Sequence, residues 1–402
     1  MNATTQRAQR PEVTAAIARI DDAIADIREG RMVILVDDED RENEGDLVIA
    51  AEKVTPEAIA FMAEFGRGLI CLALEGEQID RLELAPMATA NQAPLSTAFT
   101  QSIDAVDCQG SGVSPRDRAH TILRAIAGDA RPEHMRVPGH VFPLRARPGG
   151  VLVRSGQTEG SVDLARLAGL HPSGVICEVM AEDGTMQRLG SLLDFGVAHG
   201  IRVVTVADLI EHRIHHEPLI REVAHSKLPT PFATFDLRLF RSEVDESLHV
   251  ALTLGTFDKD TPTLVRVHPA NLLGDAFGIS GARGERHLAL ALQRVAEEGH
   301  GAVVYLGVRD VAGSLADALR GYVARQGGAA FPAADAGGAK MDFKEFGVGA
   351  QVLSALGLGA LRVMTNSPLR LRGVSGFGLR VVEWLPLGDA SDTLQGDPEA
   401  VA

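Results

Sequence analysis

Cysteine is scarce in this 402-residue chain: there are three, Cys71, Cys108 and Cys177, and none follows Cys177. They show no CxxC spacing and are too few for a disulfide framework, and a thiolate metal site cannot be assembled from the second half. An excess of basic charge is also missing. A formal net charge of −15 repels nucleic acid, whose binding needs basic patches that neutralise phosphates, so a phosphorylated ligand has to be gripped by local arginines. No apolar run is long enough to span a bilayer, and the stretch Met1 to Pro11 lacks the apolar segment and cleavage site of a secretory signal. The expectation is a cytoplasmic protein with no membrane and no nucleic acid among its partners.

What is present fits two ordinary globular domains. The chain exceeds what one hydrophobic core serves, and 45% hydrophobic with 23% charged residues is unremarkable for such a protein. The most distinctive stretch is Asp37-Asp38-Glu39-Asp40-Arg41-Glu42-Asn43-Glu44-Gly45-Asp46, lying between the short apolar runs Met32–Val36 and Leu47–Ala51. Those runs read as strands, which puts the carboxylates at the open end of a hairpin as either a solvated acidic turn or a seat for Mg²⁺. Helices are expected at Ile17–Arg28, Pro56–Phe65 and after Ser114, an N-cap followed by Pro115 and Asp117. Gly68–Leu74 reads as a strand in which Cys71 is a small buried hydrophobe. Pro138-Gly139-His140-Val141-Phe142-Pro143 is too proline-rich for a helix and reads as an extended or turning loop that holds His140, for structure or as a proton carrier. Gly149–Val153 reads as a strand, and Arg154-Ser155-Gly156-Gln157-Thr158 at the following junction is a phosphate seat or a plain helix cap. Val175–Met180 is a strand carrying Glu178, either an exposed alternate position or a tuned acid.

Together the DDEDRENEGD stretch, the PGHVFPL segment, Arg154–Gly160 and Cys177-Glu178 resemble the 3,4-dihydroxy-2-butanone 4-phosphate synthase family. The resemblance covers Ile17 to Arg213 and implies an α+β domain with a mixed sheet, spanning residues 12–213. It also implies conversion of ribulose 5-phosphate to the four-carbon phosphate and formate through an enediol, with Mg²⁺ or Mn²⁺. On that resemblance Glu42 binds metal, with Gln157 as a second ligand or as an orienting neighbour. Arg41, Glu42, Asp46, Arg154, Ser155, Gly156, Gln157, Thr158 and Glu178 hold the substrate, His140 and Glu178 move protons, Cys71 lies near the substrate, and the protein is a homodimer. Two departures stand out. Gln157 occupies the place of the family's metal-binding histidine, and Val137 precedes Pro138 where the family has arginine.

Glu211–Pro218 turns charged and histidine-bearing and reads as a hydrated hinge. Beyond it, strands at Phe235–Phe240, Leu248–Leu254, Thr263–Val267, Ala302–Leu306 and Leu361–Thr365 alternate with helices at Glu285–Glu297, Ser314–Gln326 and Phe346–Leu356. That order resembles the α/β domain of GTP cyclohydrolase II over residues 222–390. The resemblance implies a zinc held by three cysteines, but Asn271, Ala282 and Gly284 stand at those places and Val311 at that of an arginine. The expectation is a domain without zinc and without GTP hydrolysis. The alternatives are a scaffold with both sites decayed, or a nucleotide sensor.

Overall fold

The computed structural model describes residues 18–38, 41–93, 97–270, 275, 287–308, 343–366 and 377–387. The chain divides into two compact units, residues 1–213 and 214–402. Each is a mixed α/β structure built on its own seven-stranded sheet.

In the first unit the chain runs α1 (Ile20–Arg28), β1 (Val33–Val36), β2 (Gly45–Ala50), α2 (Pro56–Phe61), β3 (Cys71–Leu74), α3 (Gly76–Arg81), β4 (Ile103–Ala105), α4 (Pro115–Ile126), β5 (Met135–Arg145), α5 (Gln157–Leu167), β6 (Ser173–Glu178), α6 (Leu189–His199), β7 (Arg202–Thr205) and α7 (Val206–His216). The sheet order is β4-β5-β3-β6-β2-β1-β7. Strand alternation splits the core. Ile34, Leu47, Leu72 and Val175 face one layer with Ile59, Ile122 and Leu192 of α2, α4 and α6. Val33, Leu35, Val48 and Ile176 face the other with Ile27 of α1 and Leu164 of α5. Leu35 and Leu72 are fully buried, and each such side chain contributes about 1.5–3 kcal/mol relative to exposure.

The second unit continues with β8 (Ile220–Pro229), β9 (Thr234–Ser242), β10 (Leu248–Leu254), β11 (Thr263–Pro269), α8 (His287–Glu298), β12 (Gly301–Val308), α9 (Phe343–Ala355), β13 (Ala360–Met364) and β14 (Arg380–Leu385). Its sheet order is β14-β13-β11-β12-β10-β9-β8. β11 runs parallel to β12 and β13, and β13 parallel to β14. α8 packs Ala291 and Val295 on one face, and α9 packs Val348 and Val352 on the other. Among the described residues no helix is long and apolar enough to cross a membrane.

Several expectations are corrected. Gly149–Val153 is not a strand: Gly149 and Gly150 take positive φ, and Gly150–Leu152 coils as a 3-10 turn with Val151 N–H on Asp163. Short buried apolar runs do not reveal their period. Pro138–Pro143 is no loop but the middle of β5, with Phe142, Pro143 and Leu144 paired to β3. An extended backbone satisfies proline as well as a turn does. The stretch read as a hinge is helical to His216. The strands β8 and β14 were not foreseen, and the helix expected at Ser314–Gln326 lies outside the described residues.

Candidate active site

The acidic stretch is delivered by three neighbouring strands. β1 and β2 pair as a hairpin from Val33↔Val48 to Val36↔Gly45, and Asp46 sits inside β2 rather than in the loop. Across β2, register places Asp46 opposite Glu178, the last residue of β6. Directly opposed residues share a face, here that of Val48 and Ile176. Asp37 continues the alternation of Val33 and Leu35 onto the same face. Glu178 Oε2 accepts the N–H of Leu69 at 2.8 Å. That seat needs Gly68, because a Cβ there would lie 2.5 Å from Glu178 Oε2 and 2.6 Å from its carbonyl oxygen.

β5 reaches this end of the sheet from the other side. Cys71 pairs with Phe142, so two residues back Leu69 stands level with His140. His140 and Glu178 therefore flank β3, two strand spacings or about 10 Å apart. Asp46 is buried. That burial, followed by the charges of Glu178, Glu42, Asp37 and Glu44, pushes its carboxyl well above the usual carboxylate range. Glu44 is raised as well, by burial and by Glu42.

The cationic part of the site surrounds the start of α5. Arg41 Nη1 donates to Asp37 Oδ2 at 2.5 Å, to Glu42 Oε2 at 2.6 Å and to Gln157 Oε1 at 2.9 Å. Asp37 also caps the loop, its Oδ1 accepting from Glu44 N–H at 2.9 Å and its Oδ2 from Glu42 N–H at 3.2 Å. Arg154 donates to Glu159 Oε2 at 2.6 Å and to Thr97 Oγ1 at 3.0 Å. Both guanidinium groups meet at Gly156, where a Cβ would lie 2.7 Å from Arg154 Nη1 and 2.9 Å from Arg41 Nη2. Gly156 is also the residue before α5 and offers no side-chain cap. The first amides of the helix, at Gln157 and the buried Thr158, thus open beside two cations, an arrangement that favours an anion. Ser155 is exposed on the approach.

Gln157 Oε1 accepts from Arg41 Nη1 at 2.9 Å and its Nε2 donates to the carbonyl of Glu44 at 3.4 Å. The same Arg41 Nη1 holds Glu42 Oε2, so one guanidinium lies beside both residues expected to meet a metal. Among the described residues no trio of His, Cys, Asp or Glu is poised as a metal cage. The donors that are there are hard carboxylate oxygens crowded enough to raise one another's proton affinity. Mg²⁺ takes one or two such carboxylates and completes its shell with water and substrate, so exposed Glu42 fits it.

Four residues that matter here were not singled out in the sequence: Asp37, Thr97, Glu159 and Asp104. Glu159 is 1% exposed and binds Arg154. Asp104 binds His140. Asp104 and Glu159 are acids inside an apolar strand and a helix, the same signal that exposed Glu178. Cys71 is buried, and burial pushes its thiol far up, as it pushes Cys177 up to about 12. Both are packing residues, not nucleophiles.

In the second unit, Asn271, Ala282, Gly284 and Val311 lie outside the described residues. What is described is a polar cluster at the ends of the parallel strands. His268 Nε2 lies 2.8 Å from Asp275 Oδ1, and Tyr305 donates to Asp275 Oδ2 at 2.9 Å. Arg266 donates to the carbonyl of Met364 at 3.0 Å, and desolvation lowers its pKa to about 10. Arg266 Nε and His268 Nδ1 are buried without a partner.

Comparison with known proteins divides the chain similarly. Residues 21–212 match the family model for 3,4-dihydroxy-2-butanone 4-phosphate synthase, and residues 221–386 that for GTP cyclohydrolase II. The chain is 48% identical over 374 residues to the riboflavin biosynthesis protein RibBA of Aquifex aeolicus, covering 92% of each. It is 43% identical over 371 residues to a 3,4-dihydroxy-2-butanone 4-phosphate synthase of Pseudomonas aeruginosa, covering 92% of this chain and 99% of that one. Among solved structures it resembles RibBX, a two-domain 3,4-dihydroxy-2-butanone 4-phosphate synthase from A. baumannii, with a TM-score of 0.74 and 38% identity over 92% of this chain and 100% of the other.

Proposed function

The chain belongs to the 3,4-dihydroxy-2-butanone 4-phosphate synthase family, in the form that carries a GTP cyclohydrolase II-like second half, and from that premise we propose how its first unit performs the reaction and what its second unit does not do. The proposed reaction is conversion of D-ribulose 5-phosphate to L-3,4-dihydroxy-2-butanone 4-phosphate and formate, within riboflavin biosynthesis. The single observation that carries this reading is the convergence, at one sheet end, of the Asp46–Glu178 register pair, His140, and the Arg41–Arg154 cradle at the start of α5.

The substrate phosphate sits at Gly156, held by Arg41, Arg154, the first α5 amides and Thr158, with Ser155 at its edge. This places the sugar carbons over the Asp46–Glu178 pair. His140 accepts a proton from the chain carbon next to the carbonyl, giving an enediol. Glu178, fixed by Leu69 N–H, carries protons to and from the hydroxyl oxygens, and Asp46 opposite it holds the substrate. Migration of the carbon skeleton and release of C4 as formate follow, and the atoms of the substrate account for both products without an oxidant. Glu42 would hold a Mg²⁺ ion, or Mn²⁺, whose chemistry is to acidify the C–H beside the carbonyl it polarises. Formate release from ribulose 5-phosphate, with Mg²⁺ and then with EDTA, tests the reading. Equal release in both would remove the metal from it.

We assign residues 12–213 to the synthase and 222–390 to the second domain, and read the second as inactive in GTP hydrolysis and free of zinc. The support is chemical: no cysteine follows Cys177, and a soft three-thiolate site has no substitute in Asn271, Ala282 and Gly284. Formate released from GTP by the full chain with zinc present would overturn it. A second reading, a nucleotide bound without hydrolysis, is favoured by two buried polar atoms with no partner among the described residues, the donor Arg266 Nε and the acceptor His268 Nδ1, which lie where parallel α/β sheets receive ligands. The resemblance carries a homodimer, which light scattering of the full chain checks.

A further inference from the structure

Strand β4 is three residues long and its middle residue is an acid. Ile103 and Ala105 are fully buried and Asp104 between them is 2% exposed, yet among the described residues no lysine or arginine pairs with it. A carboxylate taken so far out of water costs several kcal/mol unless its oxygens are bonded. Here both oxygens go to one residue on β5: Oδ1 accepts the backbone N–H of His140 at 2.9 Å and Oδ2 lies 2.8 Å from its ring Nδ1. Two glycines from separate segments clear the space. A Cβ on Gly139 would lie 2.0 Å from the carbonyl carbon of Ile103, and one on Gly112, whose φ is +98°, would lie 2.2 Å from Asp104 Oδ2.

We infer that Asp104 is the positioning residue of the synthase reaction, an inference resting on His140 as its proton carrier. A carboxylate only accepts, so Nδ1 carries the hydrogen and the exposed Nε2 keeps its lone pair for the substrate. When Nε2 takes the carbon-bound proton, the imidazolium is stabilised by the carboxylate behind it, and the proton is later returned. No bond to Asp104 forms or breaks. Other titratable groups around β5 are engaged elsewhere: Asp80 of α3 with Arg145, Asp117 of α4 with the amides of Gly110 and Gly112, while Cys71 of β3 is buried. Arg118 of α4 is half-buried, and that burial lowers its pKa.

The test is steady-state formate release by the full chain for Asp104→Asn, His140→Ala and the double variant. Asp104→Asn lowers kcat about 10²- to 10⁴-fold, the range of a misheld acid–base group, with KM little changed. The acidic limb of its kcat/KM profile moves to lower pH, because the imidazolium has lost its counter-charge. The double variant is no slower than His140→Ala alone. Loss in the double variant that multiplies the two single losses, or an unmoved pH profile, overturns the inference. If His140→Ala itself keeps full kcat, the proton-carrier assignment fails instead. Should Asp104→Asn not fold, ¹⁵N-histidine NMR of the unaltered chain decides: His140 reads as the Nδ1–H tautomer, and an Nε2–H tautomer overturns the proposal.

Discussion

The two units carry sheets of equal strand number and differ in how the polar groups at their sheet ends are matched. In the first, three buried acids each hold a cationic or imidazole partner: Asp37 holds Arg41, Glu159 holds Arg154, Asp104 holds His140, and among the described residues Arg118 Nε alone of that unit's buried polar side-chain atoms lacks one. In the second, among the described residues, Arg266 Nε and His268 Nδ1 on the one strand β11 are both without a partner. Paired groups around an open sheet end make a prearranged site, in which binding energy is not consumed in ordering side chains. Unpaired polar atoms at a sheet end are free to bond a ligand. A fold keeps its packing when its site changes, because strand alternation and helix faces are set by residues that never touch a substrate.

Removing Glu42, the acid proposed to bind metal, makes the strongest test of that contrast. Glu42→Ala is expected to bring formate release down to that of the EDTA-treated unaltered chain while leaving the thermal melt in place, since the side chain is exposed and packs against no core. Release that survives would mean the first unit is not organised around this loop.

Next comes the seat of Glu178. Gly68→Ala puts a methyl group into the carboxylate and its backbone, so turnover is expected to fall about 100-fold, the scale of a misplaced catalytic group. Gly169→Ala, with open space around it, serves as the control, since strain at its positive φ costs stability but not turnover. Equal losses in both variants would show that Gly68 matters for folding alone.

Gln157→Met keeps volume and loses the oxygen that holds Arg41. Hydrogen bonds to charged groups contribute about 1.5–3 kcal/mol, so KM is expected to rise about ten- to a hundred-fold while Mg²⁺ affinity, read by titration calorimetry, stays unchanged. A collapse of Mg²⁺ affinity would return Gln157 to the metal's own shell.

Asp46 gives a pH-dependent effect. Its folded pKa is raised, so it favours the fold when protonated, and that contribution is present below the unfolded value of about 3.9 and lost as pH rises towards the folded value. Asp46→Asn should therefore melt higher than the unaltered chain at neutral pH, by about 2–4 °C for each kcal/mol regained, and at the same temperature near pH 3.5, while losing activity. Identical melting at both pH values would remove the charge cluster from the account.

The smallest effect is expected in the second unit. Arg266→Met should change formate release by less than about twofold and leave stability equal or slightly higher, as replacement of a buried charge by an apolar side chain often does. A large loss of synthase activity would tie the two halves together functionally.

Much of this protein was legible without coordinates. The apolar runs on either side of the acidic stretch, the Ser114 cap whose Oγ accepts Asp117 N–H at 3.1 Å, and the succession of β9 to β13 with α8 and α9 in the second half are local properties, set by period, capping and turn chemistry. The absence of cysteine after Cys177 by itself limited what the second half can bind. Register and approach were decided only in three dimensions. Asp46 meets Glu178, far along the chain, only because β2 and β6 pair in one register, and a slip of one residue would have turned one of them to the opposite face. Asp104 meets His140 because Gly139 and Gly112 let β4 close on β5, and Gln157 meets Arg41 because the loop after β1 reaches the start of α5. Local sequence preference acts over a few residues, whereas these contacts are chosen by the packing of a whole sheet.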